Sequence, residues 1–454
     1  MIQRIVNIIL DRRSRRIKLY IQISRDSYMR VLFVSQAYPD PNGRGFERRA
    51  AQHLSSLKKL GEVTLVIPGK TAANTDVAAL DPITLGVARV IVRSEPTLAD
   101  TTQARHALAT TKATRFLHAI RRRYDCDQSA RPIDRNKYRM ILTGEFDLVF
   151  AFRIGSAIWI ESVLDMQHHT RRIVDFDDIE SVALARNSAG HQKSFFWRWK
   201  VRNYISHLAR VENRLAKQWP LTLVCSQHDA RLLCERGHRA HAVPNAFQFE
   251  EAAPERASSA LQILFVGTLS YRPNVDGITW FVQNVWPALQ QRLQGKVNLK
   301  IVGFDPPPEI RALGAINGIE VAGPVNALKP VYAASNISIV PVFSGSGTRI
   351  KILEAFAFAR AVVTTPIGCE GLDLINGHHA MVAESADEFI EAIVQLARSR
   401  DKRRTIARAG QSFGSRNFST SVVEAQFERL IAQMMGAQVG RHFLQGRQEV
   451  GGFI

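Results

Sequence analysis

The apolar run Ile337-Ser-Ile-Val-Pro-Val342 breaks at Gly345-Ser-Gly347 and resumes as Ile350-Lys-Ile-Leu-Glu-Ala-Phe-Ala357, with large apolar residues now at helical spacing. A buried strand that turns within a few residues into a helix is the repeating unit of a parallel α/β sheet. The junction also carries chemistry. The first backbone N–H groups of such a helix are unpaired and face the loop, which suits a phosphate. Gly345 and Gly347 let the backbone approach an anion, Thr348 can cap the helix or bond an oxygen, and Arg349 and Lys351 bring positive charge to the same mouth. Glu354 lies further along the helix, where a carboxylate is unsuited to phosphate but suited to a pair of sugar hydroxyls. A diphosphate at one end and a diol at the other describe a nucleotide-sugar site. The plainer reading is an ordinary structural loop, with Lys351 and Glu354 as a solvated i,i+3 pair worth a few tenths of a kcal/mol.

The strand–helix alternation extends along most of the 454 residues, a length that accommodates two domains with a core each. In the first half, strands are expected at 31–35, 63–67, 146–151, 172–176 and 221–226, with a helix at 46–60. Residues 250–259 are polar, lack apolar periodicity and read as a linker. The pattern restarts with strands at 261–266, 298–302, 319–322, 337–342, 361–365 and 380–383, and closes with helices after 387 and at 420–435. The expected organisation is a basic extension at 1–28, a first Rossmann-like domain at 29–249, the linker, a second Rossmann-like domain at 260–419, a closing helix at 420–439 and a tail at 440–454. Ligands of such sheets bind at the carboxyl ends of the strands. Neither opening strand is followed by Gly-x-Gly-x-x-Gly, which disfavours a dinucleotide dehydrogenase.

Charge is unevenly placed. Of the formal +19, residues 1–245 carry +17, with 40 Lys and Arg against 23 Asp and Glu. Three segments concentrate it: 1–28, 103–139 and 191–218, the last containing Phe195-Phe-Trp-Arg-Trp-Lys-Val-Arg-Asn-Tyr204. Rings interleaved with cations suit the interface of an anionic membrane, and this reading is preferred to a partly buried helix with a basic outer face. Nucleic acid, the other partner of a basic chain, ranks behind because no recognisable nucleic-acid module accompanies the charge. Cys126, Cys225, Cys234 and Cys369 are scattered without metal-ligand spacing and read as reduced cysteines of a cytoplasmic protein. No apolar run is long enough to span a bilayer. Residues 1–28 lack the order of a signal peptide; they are read as a basic membrane-touching extension or, preferably, as a stretch preceding the native start.

The segment from Gly345 closely resembles the donor-binding signature of the family 4 glycosyltransferases: a Gly-rich loop, Lys351-Ile-Leu-Glu-Ala355, a strand with paired β-branched residues and the turn Gly368-Cys-Glu-Gly371. Leu261-Gln-Ile-Leu-Phe-Val-Gly267 with Tyr271-Arg-Pro-Asn274, Gly323-Pro-Val325 and Val243-Pro-Asn245 extend the resemblance, which runs from about 29 to 417 and is strongest in the second half. It implies a GT-B fold, two Rossmann-like domains facing across a cleft with the last helix crossing back to the first. It implies that Gly347, Thr348, Arg349 and Lys351, with Arg272, hold a donor diphosphate and that Glu354 accepts from the ribose. Many members have a further glutamate eight residues before this one, contacting the transferred sugar; here that place is Ser346, so the sugar contact does not carry over.

In the first domain, Gly43 and Gly45 stand where the family has a Gly-rich turn beside the diphosphate and sugar, although Arg44 interrupts them and a plain turn is an equal reading. Asp175-Phe-Asp-Asp178, with Glu180 and Ser181 behind, follows an apolar strand; acid/base work, hydroxyl binding and helix capping all fit, and a metal is the least favoured reading because no further ligand set is evident. Asp177 is closest to the place of a sugar-contacting histidine in relatives. Asp177, Asp178 and Arg153 are the candidate catalytic residues, Arg153 as a partner for an anionic group.

The expected activity is transfer of a sugar from a nucleoside diphosphate sugar, the co-substrate, to a hydroxyl acceptor. Retention follows from the family, and no metal or other cofactor is expected. The basic first domain points to a glycan or lipid-linked acceptor in polysaccharide or cell-envelope biosynthesis, with the protein peripheral at the cytoplasmic face of the membrane. A GT-B sugar-nucleotide epimerase, using the carboxylates at 175–178, and a nucleotide-sugar-binding protein without catalysis, motivated by Ser346, are the alternatives.

Overall fold

The structure, a computed structural model, describes residues 5–10, 17–22, 29–68, 85–92, 138–140, 142, 146–165, 171–189, 194–249, 260–345 and 349–435. Strands β1 (Ile5–Leu10) and β2 (Ile17–Gln22) pair antiparallel, apart from two larger sheets. The first of these contains β3 (Met29–Ser35), β4 (Gly61–Ile67), β5 (Arg89–Val92), β6 (Leu148–Phe152), β7 (Arg172–Asp175), β8 (Leu221–Val224) and β9 (Ala240–Ala242). Its order is β5-β4-β3-β6-β7-β8-β9, parallel throughout. The second holds β10 (Leu261–Val266), β11 (Val297–Val302), β12 (Ile319–Gly323), β13 (Ile337–Val340), β14 (Ala361–Thr364) and β15 (Met381–Val382). Its order is β12-β11-β10-β13-β14-β15, again parallel.

The central strands show why alternation is missing from the sequence. All five residues of β6 and all four of β8, β13 and β14 are buried, because helices cover both faces of each sheet. Val31, Phe33, Leu65 and Phe150 pack on one face of the first sheet; Leu32, Val34, Val149 and Trp159 belong to the core on the other. The second domain repeats the arrangement around Phe265, Phe281 and Phe389 on one side and Leu264, Phe356 and Val362 on the other.

The helices that position the site are α1 (Gly45–Lys58), α2 (Ile154–Val163), α3 (Glu180–Ala189), α4 (Phe195–Gln218), α5 (Arg272–Asn284), α6 (Ile350–Ala357), α7 (Arg400–Phe418) and α8 (Thr420–Met435). The chain passes between domains twice at one point: the Phe247 amide donates to the Phe418 carbonyl at 2.8 Å and the Thr420 amide to the Phe247 carbonyl at 3.1 Å. From there α8 returns to the first domain. Its Val423, Phe427, Ile431 and Met435 are buried in the core that contains Phe33, Leu57 and Phe150, and Gln426 donates to the Ala242 carbonyl.

Most expected elements are present within a residue or two. Strands β5 and β9, at the two edges of the first sheet, were not anticipated: each has only three or four residues, too short a run to signal itself. Strand β7 ends at Asp175, one residue before the expected boundary. The expected linker 250–259, the tail from 440 and nearly all of the basic segment 103–139 lie outside the described residues. Among the described residues, no helix is long and apolar enough to cross a membrane, and Cys225, Cys234 and Cys369 are free.

Candidate active site

Helix α1 begins the site, although past Gly45 nothing in its sequence marks it as more than a covering helix. It starts at the carboxyl end of β3, on the side from which parallel sheets bind ligands. Gly45 is its first residue, and a Cβ there would come 2.8 Å from the Ile350 Cδ1 that opens α6 in the other domain. The two helix N-termini therefore abut across the interdomain cleft. One turn along, the Arg48 guanidinium meets the Glu354 carboxylate at 2.5 Å, lying also 5.2 Å from the centre of the Phe247 ring. Glu354 is 5% exposed, so the contact takes place largely out of water. Arg44 adds a looser interdomain pair with Asp305, at 3.4 Å.

The next residue of α1 turns to a second cluster. Arg49 is buried and meets Asp175 at 2.8 Å, Asp177 at 3.4 Å and the Val243 carbonyl at 2.8 Å. His53, one turn further, contacts the same Asp175 carboxylate. Burial works to raise the Asp175 pKa, but Arg49 and His53, with the Asp177 amide donating at 2.6 Å, outweigh it and bring it to about 2. Burial holds the His53 pKa below its usual value, with Arg49 acting the same way. Gln52 closes this face of α1 on the domain junction, donating to the Pro244 carbonyl and accepting from the Ala246 amide.

The Asp175 hydrogen bond to the Asp177 amide sets the turn that follows β7. Asp177 takes the left-handed backbone conformation, φ 65°, which brings it out of the strand line at the sheet's carboxyl edge. Burial and then the neighbouring Asp178 raise its pKa to about 7, against Arg49 and Arg153. A carboxyl so placed can hold or release a proton near neutrality. Asp178 instead accepts from the Cys225 thiol at 3.1 Å. Asp177, Asp178 and Cys225 offer ligand atoms within 4.8 Å of one another; burial and the adjacent carboxylates push the Cys225 thiol well up, away from the thiolate that ligates metals.

Arg153, the N-cap of α2, also has positive φ, at 71°. Its guanidinium meets Glu180 at 2.7 Å and lies 5.7 Å from the Phe46 ring centre, so the structure places it in an ion pair beside the cleft. The Ser181 amide donates to the buried Glu212 of α4, which anchors α3. Further along α3, Arg186 donates to the Gly345 carbonyl at 3.3 Å and pairs with Glu370, tying the first domain to the Gly-rich loop.

On the second-domain side, the Lys351 Nζ donates to the Asn274 side chain at 2.5 Å and lies 5.0 Å from the centre of the Phe265 ring. Burial, and after it Arg349, lower its pKa to about 7, with Glu354 opposing. Gly345 has φ 109°, a conformation that favours glycine, and its Cα side faces the Arg349 guanidinium. Arg349 itself is buried, its Nε donating to the Ile367 carbonyl at 3.1 Å. Arg272 is largely exposed and paired with Asp276 one turn on, at 2.7 Å. Gly43 forms a tight turn, its amide donating to the Asp40 carbonyl at 3.2 Å, and a Cβ there would strike Glu47. Gly347 and Thr348, with Ser346, lie outside the described residues.

The structure thus gathers Gly45, Lys351 and Glu354 about the facing helix ends, and Asp177, Asp178 and Arg153 about the end of β7. It adds Arg48, Arg49, His53 and Asn274, which sequence reasoning passed over. The sequence contains the pair Arg48-Arg49 but not the 100° rotation per residue that sends one to each cluster.

Residues 260–399 match the family model described as Glycosyl transferases group 1. The second domain is a glycosyltransferase group 1 domain. The two domains together have the GT-B fold: the chain superposes on a sucrose-phosphate synthase from Thermosynechococcus elongatus with TM-score 0.64 at 15% identity, covering 89% of this chain and 99% of the other. It superposes likewise on the HepE protein of Anabaena in complex with UDP and glucose, with TM-score 0.60 at 14% identity, covering 89% and 100%. By sequence, the chain is 25% identical over 169 residues to an uncharacterised 44.6 kDa protein of the cps region of Klebsiella pneumoniae, covering 36% of this chain and 43% of that protein. The chain spans less than half the length of the curated relatives it matches.

Proposed function

We propose that this chain is a glycosyltransferase that moves a sugar from a nucleoside diphosphate sugar to a hydroxyl of a glycan or lipid-linked acceptor, with retention of configuration. The observation that carries the reading is the meeting of two helix N-termini, α1 and α6, with Lys351 and Glu354 beside the junction and Gly45 allowing their close approach. Two positive helix ends and an ammonium form a diphosphate site. Lys351 and the amides of the 345–348 loop would stabilise the charge that develops on the departing nucleotide, and Glu354 would accept from the ribose hydroxyls. Asp177, with its pKa near 7, would face the transferred sugar, and Arg272 and Arg349 would support the diphosphate. HepE holds UDP and glucose on the same fold, and the Klebsiella relative lies in a cps region; both favour a nucleotide-sugar donor and an envelope glycan product.

Calorimetric titration with UDP, GDP and ADP tests the donor site. One nucleotide is expected to bind, and Glu354→Ala should weaken it by about tenfold, the loss of one charge-assisted contact of roughly 1.5 kcal/mol. If no nucleoside diphosphate binds, or if the substitution leaves binding unchanged, the assignment fails. Arg48 makes the free site self-occluding, since it uses the carboxylate that the ribose needs. Arg48→Ala is therefore expected to tighten nucleotide binding by about fivefold, roughly 1 kcal/mol, because Arg48 no longer competes with the ribose for the carboxylate. Weaker binding would instead show that Arg48 bonds the nucleotide itself.

A sugar-nucleotide epimerase finds support in one observation, the cluster of Asp177 and Asp178 with a raised pKa at the first. The two readings separate in the products: an epimerase converts the sugar nucleotide without an acceptor, and NMR of the reaction mixture would show the inverted sugar still attached to the nucleotide.

A further inference from the structure

Helix α4 is 24 residues long, but its first buried residue is Val201. Before it, the tip of the helix stands clear of the domain core. Phe195 is 85% exposed, Phe196 57% and Trp199 53%, making this the densest group of exposed large apolar side chains among the described residues. The Phe196 and Trp199 rings stack with centroids 6.1 Å apart and planes within 16°, and the Lys200 ammonium lies 4.2 Å from the centre of the Phe196 ring. Arg198 and Arg202 are exposed on the same turns, and 195–202 contains no acidic residue. The helix N-terminus adds its own positive partial charge. Isolated exposed rings are ordinary; three contiguous rings ringed by cations at the end of a helix have a specific complement.

We propose that residues 195–202 dock this protein on an anionic lipid bilayer, the rings entering the headgroup boundary and Arg198, Lys200 and Arg202 meeting lipid phosphates. Rings of this size partition to the water–lipid boundary, and each basic residue near an anionic surface adds attraction. No described helix is apolar enough to cross, so the contact is peripheral. The position serves the cleft. Arg186 of α3 touches the Gly345 carbonyl of the second domain, and α3 ends at Ala189, six residues before Phe195. Six residues span at most about 20 Å, so the tip lies within that reach of the end of α3, the helix that touches the second domain. The inference rests on the proposed function only for the statement that the acceptor is presented at the membrane; the docking itself requires no nucleotide.

The test is flotation of the full chain with neutral phosphatidylcholine vesicles and with vesicles containing 30% phosphatidylglycerol, without nucleotide. Wild type is expected to bind the anionic vesicles and to dissociate in high salt. Two variants are compared: Phe195→Ser/Phe196→Ser/Trp199→Ser, which keeps the cations, and Arg198→Glu/Lys200→Glu/Arg202→Glu, which keeps the rings. The charge-reversed variant is expected to lose at least about 100-fold in vesicle affinity, since each cation is worth roughly fivefold. The aromatic variant is expected to lose about as much, each ring giving up roughly fivefold, or about 1 kcal/mol, of burial at the boundary. All six side chains are exposed or half-exposed, so both variants should keep the wild-type melting temperature and nucleotide affinity. That result would leave the donor site standing whatever the vesicles show. Equal binding to neutral and anionic vesicles, or wild-type binding by both variants, overturns the proposal. So does a dimer in solution that the aromatic variant dissolves, or single-stranded RNA bound more tightly than vesicles and lost in the same variants.

Discussion

Lys351→Met is expected to lower the turnover of the nucleotide sugar, as transfer or as hydrolysis, by about 10²- to 10³-fold, the usual cost of removing one group that meets developing charge. The magnitude follows from how the side chain is held. Its ammonium is fixed by Asn274 at 2.5 Å and by the Phe265 ring beneath it, so no reorganisation is needed when a diphosphate arrives. Methionine keeps most of the stem's packing and removes the charge together with the hydrogen bond to Asn274. Burial has already cost the ammonium much of its hydration, which is why its pKa falls to about 7. A bound diphosphate favours the protonated form, so nucleotide binding should take up a proton near neutral pH. Affinity should accordingly be highest below pH 7 and decline as pH rises beyond it. Calorimetry in buffers of different ionisation enthalpy reads the proton directly. Turnover within threefold of wild type, with binding indifferent to pH between 6 and 9, would remove Lys351 from the site.

Asp175→Ala should destabilise the first domain by about 3–5 kcal/mol, the cost of leaving a buried charge uncompensated. Asp175 is fully buried and is the shared partner of Arg49, His53 and the Asp177 amide. Without it, the Arg49 guanidinium keeps only the more distant Asp177 at 3.4 Å and backbone or amide oxygens. The pH dependence has a definite sign. Because the folded-state pKa is depressed to about 2, the wild-type contribution is complete above the unfolded value near 4 and is lost as pH falls from about 4 through 2. Urea denaturation at pH 7 and at pH 3 measures both effects. A loss below 1 kcal/mol at pH 7 would mean that Arg49 finds another partner, and that Asp175 does not organise the turn bearing Asp177.

The two predictions concern residues of different legibility. The role proposed for Lys351 rests on a local pattern: a Gly-rich loop, a cation in the first helical turn and a carboxylate three residues on lie within ten positions of sequence. Asp175 was visible as one of a run of carboxylates, but which of Asp175, Asp177 and Asp178 is buried structure and which faces the cleft was not. That division depends on Arg49 and His53, more than 120 residues away, and on a backbone turned to positive φ at Asp177. Arg153 was expected to be available to an anionic group, yet it is engaged by Glu180, a contact set by the packing of α2 beside α3.

Two domains of parallel strands, the order of strand and helix, and the Gly-rich turn that leads into α6 with Lys351 in its first turn were determined by the sequence itself, because burial on both faces and helix-terminal chemistry are written in neighbouring residues. The pairing of Arg48 with Glu354, the burial of Arg49 against Asp175 and the exposed aromatic tip of α4 were decided only by tertiary structure. Each depends on which surfaces come to face one another when the two domains and the returning α8 pack, and the free energy of a charge or a ring is set by the neighbours and the water that packing leaves it.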